Sequence, residues 1–302
     1  MAGHWPRPEG VPFPARSSAR RSAPREEGPY AATLVSGPTG VTSSACLSVH
    51  DLALNFGGLR AVDRVSFAIE AGAVHGLIGP NGAGKTTIFN CITGFYRPTG
   101  GRIRFLDHDI TYLRPDRVAR LGIARTFQNV QLFPSLSVLD NVLVAKHSHM
   151  RTGVLAEGLR LPFVRAQERA VRDKAYALLD FLGLADLQRQ PAASLPLGSQ
   201  KRLELARALA LEPKLLLLDE PASGLNTSET QALGEVLLGI RERFALTVLL
   251  VEHDMGLVMS VTETITVLNF GRKIAEGTPH EVQNDPEVVK AYLGETAGVV
   301  GA

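Results

Sequence analysis

Nine consecutive residues, Gly79-Pro-Asn-Gly-Ala-Gly-Lys-Thr-Thr87, constrain this chain more than any other feature. They follow a mostly apolar, strand-like run at 73–78 and precede a stretch with helical spacing at 86–93. Glycines at 79, 82 and 84 let backbone wrap closely around an anion, and the free N–H groups of the loop and helix start attract negative charge. Lys85 adds a point charge suited to β and γ phosphates, and the Thr86 hydroxyl suits Mg²⁺. Strand, glycine loop and helix in that order predict a nucleoside triphosphate site. It is made of Gly79, Pro80, Asn81, Gly82, Ala83, Gly84, Lys85, Thr86 and Thr87.

A second signal is Leu215-Leu-Leu-Leu-Asp219-Glu220. The uninterrupted leucines predict a strand buried on both faces, with Asp219 at its carboxyl end, where open α/β sheets bind ligands. Asp219 then suits Mg²⁺, a hard cation that prefers oxygen, and Glu220 falls beside the γ-phosphate as general base for water. Thr247–Val251 has the same all-apolar character and ends beside Glu252, His253 and Asp254. No second His or Cys there has ligand spacing, so these three residues predict no metal site.

Strand-like runs at 47–54, 65–69 and 102–105 predict a mixed sheet ahead of and just after the loop. Residues 137–187 turn helical. Ser137 and Asp140 predict a helix start, and residues 166–182 predict a helix whose buried stripe holds Ala170, Tyr176, Ala177, Leu178, Phe181 and Leu182. The intervening segment 152–163 reads as irregular. Near the end, Phe270-Gly-Arg272 predicts a hairpin turn, Thr278-Pro-His-Glu281 a capping box, and Asp285-Pro-Glu287 a further helix start. His147 and His149 read as a solvated turn and Cys91 as a small buried thiol.

Composition excludes several classes. A spanning helix needs roughly 20 apolar residues in a row, and nothing here approaches that length. Two cysteines cannot build a secreted disulfide scaffold. The +2 balance is no nucleic-acid footprint, and it belongs wholly to residues 1–45, which hold five Arg, three Glu and seven of the 18 prolines. That stretch reads as a disordered tail or a start placed too early, leaving a neutral, cytosolic body.

Several motifs fall in one order: the phosphate loop, Arg125-Thr-Phe-Gln128, Leu195-Pro-Leu-Gly-Ser-Gln200, Asp219-Glu220, Ser223-Gly-Leu-Asn226 and His253. In that order the chain resembles an ATP-binding-cassette ATPase. Finer agreement at Asn81-Gly-Ala-Gly-Lys-Thr-Thr-Ile-Phe-Asn90, Thr93-Gly-Phe-Tyr-Arg-Pro-Thr-Gly-Gly101 and Val251-Glu-His-Asp-Met255 is similar to the branched-chain amino-acid importer ATPases. The resemblance covers about 47–294. It implies an α/β P-loop NTPase fold with an antiparallel β subdomain and a helical subdomain at about 129–197, within a domain spanning 46–296 and followed by a flexible 297–302.

The resemblance also implies roles. Gln128 reaches the metal and the attacking water, His253 contacts the γ-phosphate, and Phe56 stacks on adenine. Gly198, Ser199 and Gln200 face ATP held by a second ATPase subunit, in a heterodimer or a homodimer. Val130, Leu132, Phe133 and Leu136 receive a helix of a membrane permease, and a periplasmic or extracellular solute-binding protein takes part indirectly. The chain would then sit peripherally on the inner face of the cell membrane. The signature departs from the usual Leu-Ser-Gly-Gly-Gln: Pro196 stands where a serine hydroxyl donates to the γ-phosphate, and proline also lacks an N–H. Branched-chain amino acids are the expected solute, with a urea or short-amide importer and a lipopolysaccharide exporter as rivals. A non-hydrolysing nucleotide-binding partner is the alternative of a different class. An ATPase acting on DNA or ribosomes would need a second cassette, a coiled coil or a basic face.

Overall fold

A computed structural model of the protein describes residues 45–126, 131–147 and 162–298. Gln128, Val130 and His149, with most of the 152–163 segment, lie outside the described residues.

Two sheets organise the chain. Strands β1 (Ala45–Phe56), β2 (Leu59–Glu70), β4 (Gly100–Phe105) and β5 (His108–Asp109) form an antiparallel sheet in the order β2-β1-β4-β5. Alternation along β4 buries Ile103 and Phe105 and exposes Arg102 and Arg104, as a sheet with one solvated face requires. The six-stranded sheet contains β3 (Val74–Ile78), β6 (Ile123–Arg125), β7 (Leu215–Asp219), β8 (Thr247–Val251), β9 (Thr264–Asn269) and β10 (Arg272–Gly277). Its order is β10-β9-β3-β8-β7-β6, parallel except for the β9–β10 hairpin. Every residue of β3, β7 and β8 is buried, His75, Asp219 and Thr247 included, which is why these strands are mostly apolar without alternation. The hairpin turns through Phe270 and Gly271 at φ 45° and 77°, the left-handed pair that matches strand twist.

Helix α1 (Lys85–Ile92) follows β3, and α2 (Pro115–Arg120) precedes β6. Beyond β6 come α3 (Val138–His147), α4 (Pro162–Phe181) and α5 (Leu197–Ala210), which share one apolar core. Ser137 starts α3 by accepting the Asp140 N–H at 3.0 Å. In α4 the buried residues near its C-terminal end are Ala175, Leu178 and Leu179, followed by Leu182. Spacings of three, four and seven put these on one face, so the expected stripe holds at Leu178 and Leu182 and is corrected at its other edge. Ala170 is exposed and Tyr176 is 39% exposed, because they lie off that face. The helix also begins at Pro162, ahead of the expected start, which takes Pro162 and Phe163 out of the irregular segment.

Helices α6 (Thr227–Phe244), α7 (Met255–Val261), α8 (Pro279–Gln283) and α9 (Pro286–Gly298) complete the chain. Capping boxes start α6 at Asn226/Glu229 and α8 at Thr278/Glu281, the latter with Pro279 in the first turn. Among the described residues, no helix is long and apolar enough to cross a membrane.

Candidate functional site

The carboxyl ends of β3, β7 and β8 lie side by side, since β8 pairs with both of the others. Three chain segments remote in sequence therefore open onto one edge, the place where parallel sheets bind ligands.

From β3 the chain enters the glycine loop. Gly79 has φ 150°, and a Cβ there would lie 2.2 Å from the Leu268 carbonyl of β9. Gly84, at φ 105°, would bring a Cβ within 2.8 Å of the Ala61 carbonyl. Both positions therefore demand glycine: the loop is seated against β9 on one side and β2 on the other. Gly271 N–H donates to the Ala83 carbonyl at 3.0 Å, tying the β9–β10 turn to the loop. Gly79, Pro80 and Ala83 are buried, whereas Asn81, Gly82 and Thr86 are exposed and Gly84 and Thr87 half-buried. Lys85 is buried and its Nζ donates to the Gly79 and Pro80 carbonyls at 2.6 and 2.9 Å, so the ammonium is curled over the loop.

Asp219 closes β7 and is buried. Its Oδ2 accepts from Arg125 Nη2 at 2.7 Å, while Arg125 Nη1 donates to Asn90 Oδ1 at 2.7 Å and the guanidinium lies 5.5 Å from the Phe89 ring centre. Arg125 thus joins β6, β7 and α1 at one point. Glu220 follows in the left-handed region at φ 49°, a conformation that strains a side-chain-bearing residue and recurs at functional sites. Its N–H donates to the Val251 carbonyl at 2.8 Å. Its Oε1 lies 2.9 Å from His253 Nε2, within hydrogen-bond distance. Beside them, buried Glu252 accepts N–H groups from Ala222 and His253 at 2.6 and 2.9 Å, and from Asp254 at 3.4 Å. Burial pushes the Glu252 carboxyl above its usual range. The three N–H donors oppose that shift, and the neighbouring charge of Glu220 adds to it.

Phe56 ends β1 with 46% exposure and meets Tyr96 edge to face, ring centres 5.3 Å apart. It is a surface aromatic with an open face rather than a core strand residue. The Leu195–Gln200 stretch, by contrast, belongs to the start of α5. Pro196 takes the N-cap position, and its carbonyl accepts the Ser199 and Gln200 N–H groups at 3.0 Å each. Gln200 Nε2 donates to the Leu195 carbonyl at 2.9 Å, and Arg202 Nη2 donates to Ser199 Oγ at 3.3 Å. Gly198 is half-buried, facing Glu229. Among the described residues, no hydrogen bond joins Gly198, Ser199 or Gln200 to the phosphate loop.

Two residues of this constellation were not legible from the sequence. Arg125 stands inside a recognised motif, but nothing local announces a partner at position 219. Glu252 reads as a stray acid beside His253, although a buried polar position right after an all-apolar strand is a usable signal.

The chain matches the model of the ABC transporter family at residues 62–223 and that of the branched-chain amino acid ATP-binding cassette transporter at 272–298. It is 46% identical over 254 residues to the high-affinity branched-chain amino acid transport ATP-binding protein LivG of Escherichia coli K12, covering 84% of this chain and 99% of the relative. It is likewise 46% identical over 253 residues to BraF of Pseudomonas aeruginosa, described in the same terms, again covering 84% of this chain and 99% of that protein. Among solved structures, an ATP-binding cassette of an ABC transporter in its ADP conformation superposes with a TM-score of 0.73. It is 32% identical, covering 83% of this chain and 99% of that one. With the phosphate loop, the acidic strand end and the following histidine gathered on one sheet edge, the chain belongs to the ABC transporter ATPase family and is a nucleotide-binding, ATP-hydrolysing domain of the P-loop NTPase fold.

Proposed function

We propose that the chain is the ATP-hydrolysing subunit of an importer for branched-chain amino acids. The observation that carries the solute is agreement along 99% of the length of relatives named for that transport, at 46% identity. In this reading residues 46–296 form the ATPase domain, with the helical subdomain at about 129–197 inserted. The chain works on the inner face of the membrane by docking to permease subunits. Its exposed Phe133 and half-buried Leu132 and Leu136 lie on the docking side, and a second ATPase subunit completes each ATP site.

Gly79 to Thr87 hold the phosphates and Phe56 offers its open face to adenine. Releasing Lys85 from the Gly79 and Pro80 carbonyls puts its ammonium on the β and γ phosphates, where a charged acceptor replaces two neutral ones. Glu220 takes the proton of the attacking water. His253 orients Glu220 and contacts the γ-phosphate, and Gln128 reaches the same water. The residues present suit Mg²⁺: an exposed hydroxyl at Thr86 and a carboxylate at Asp219 are hard oxygen donors. Among the described residues no three His, Cys, Asp or Glu gather to make an all-protein cage. Thr86, Asp219 and Gln128 would hold the ion, which would neutralise phosphate charge.

The signature of the partner subunit faces this site, and that of this chain faces the partner's. Losing the serine donor at Pro196 removes a bond worth about 1.5–3 kcal/mol, which leaves this chain the weaker signature of a heterodimeric pair. The test is leucine-stimulated ATPase activity in vesicles holding the permease, both ATPase subunits and the solute-binding protein. Stimulation by branched-chain amino acids and its loss in Glu220→Gln are expected. Stimulation by urea alone, or full turnover in that variant, would overturn the solute or the base respectively.

A further inference from the structure

Backbone pairing between β7 and β8 ends at Asp219 and Val251, where the two chains leave for the loops that carry Glu220 and His253. The last backbone bond between them runs from Glu220 N–H to the Val251 carbonyl. Beyond it, the Glu252 side chain spans the gap to the backbone on both sides. Glu252, 3% exposed, takes the Ala222 N–H on Oε1 at 2.6 Å. On Oε2 it takes the His253 and Asp254 N–H groups at 2.9 and 3.4 Å. A charged acceptor with donors on both oxygens therefore extends the pairing one step past the end of the sheet, and such bonds are about twice as strong as neutral ones. The neighbouring acid is engaged elsewhere, since Asp254 caps α7 by accepting the Leu257 N–H at 2.9 Å.

We propose that Glu252 is a positioning residue: by gripping the backbones on both sides of the gap, it sets the separation of Glu220 and His253 and thereby their 2.9 Å contact. This rests on the reading of Glu220 as base and His253 as the phosphate-contacting residue. The grip needs a carboxylate. An amide of the same size would turn an NH₂ toward Ala222 N–H on one side, or toward the His253 and Asp254 N–H groups on the other, donor against donor. A carboxylate one methylene shorter keeps the acceptors but reaches only one of the two loops.

The experiment uses the full-length protein as Glu252→Gln and Glu252→Asp. It reads kcat and KM for ATP and, in histidine-labelled protein, the ring nitrogen signals of His253, assigned with His253→Ala. Loss of one charge-assisted bond predicts a kcat about 10- to 100-fold lower in Glu252→Gln with KM nearly unchanged, and a partial return in Glu252→Asp. The His253 ring signals shift in both. A simple brace would lower the melting temperature and leave that ring unmoved. Unchanged kcat, or an unshifted His253 signal in folded Glu252→Gln, overturns the proposal. So does failure of both variants to fold, which would make Glu252 a requirement of the fold. Glu220→Gln keeps the two readings apart: turnover retained there refutes Glu220 as base, while the ring signals still report on Glu252.

Discussion

Replacing Arg125 by methionine tests whether the Arg125–Asp219 pair supports the site by physical necessity. The side chains are 10% and 7% exposed and 2.7 Å apart, so solvent cannot replace the guanidinium when it is removed. The variant leaves a buried carboxylate without its counter-charge and Asn90 Oδ1 without the Nη1 donor. Breaking a buried pair from one side destabilises by about 3–5 kcal/mol. In a domain of this size each kcal/mol moves the melting point by about 2–4 °C, so Arg125→Met should melt roughly 10 °C below the parent. Adding Asp219→Asn removes the stranded charge and should recover most of the loss, because deleting both members of a buried pair is often near neutral. Urea unfolding without nucleotide at neutral pH measures both variants. A loss below about 1 kcal/mol, the range of exposed pairs, would refute the argument. A double variant no more stable than Arg125→Met would refute it equally.

Burial holds the His75 imidazole at a pKa of about 4, with Lys273 adding to the effect, so it folds neutral. The unfolded chain takes up the proton between the ordinary value of 6.5 and about 4, so stability falls as pH drops through that window. The loss from pH 7 to pH 5 should be about 2 kcal/mol by urea titration and should be largely absent in His75→Gln. Cys46 and Cys91 are both buried, and burial pushes the Cys91 thiol up to about 12. Neither should react with iodoacetamide at mild alkaline pH in the folded protein, as intact-mass spectrometry would report; rapid single labelling contradicts the burial. Pro196→Ser should restore a donor to the signature, tighten the ATP-driven ATPase pair and raise the steady-state rate. An unchanged rate and unchanged dimerisation on gel filtration would remove Pro196 as the weak element.

Legibility of the sequence followed the range of the forces involved. The phosphate loop, the hairpin at Phe270-Gly271 and the capping box at Thr278 were readable because each is decided within a few residues, by backbone geometry or a short hydrogen bond. The buried strands β7 and β8 were readable because covering both faces leaves an unbroken apolar run, with polar residues confined to the ends at Asp219 and Thr247. The stripe of α4 was legible in part: Leu178 and Leu182 are buried as read, but Ala170 and Tyr176 are exposed and Ala175 and Leu179 are packed instead, because helical spacing does not centre a stripe until α3 and α5 pack against it. Arg125 and Glu252 escaped for a different reason. Each acts through a contact supplied by a remote segment, Asp219 in one case and Ala222 in the other. Sequence spacing carries no trace of a bond that only the strand order creates.

That strand order also governs when the protein becomes competent. Strand β3, which launches the phosphate loop, lies between β8 and β9 in the sheet: Val74 lies opposite Val248, and His75 opposite Thr264. As the chain emerges from the ribosome, the β1–β2 hairpin can close at once between near neighbours, at small loop entropy. The phosphate loop has no such option; its strand waits without a ladder partner until almost the whole chain has been made. Grip on nucleotide is therefore a late acquisition in synthesis, and a product truncated before β8 would display the entire glycine motif yet lack the wall against which it is shaped.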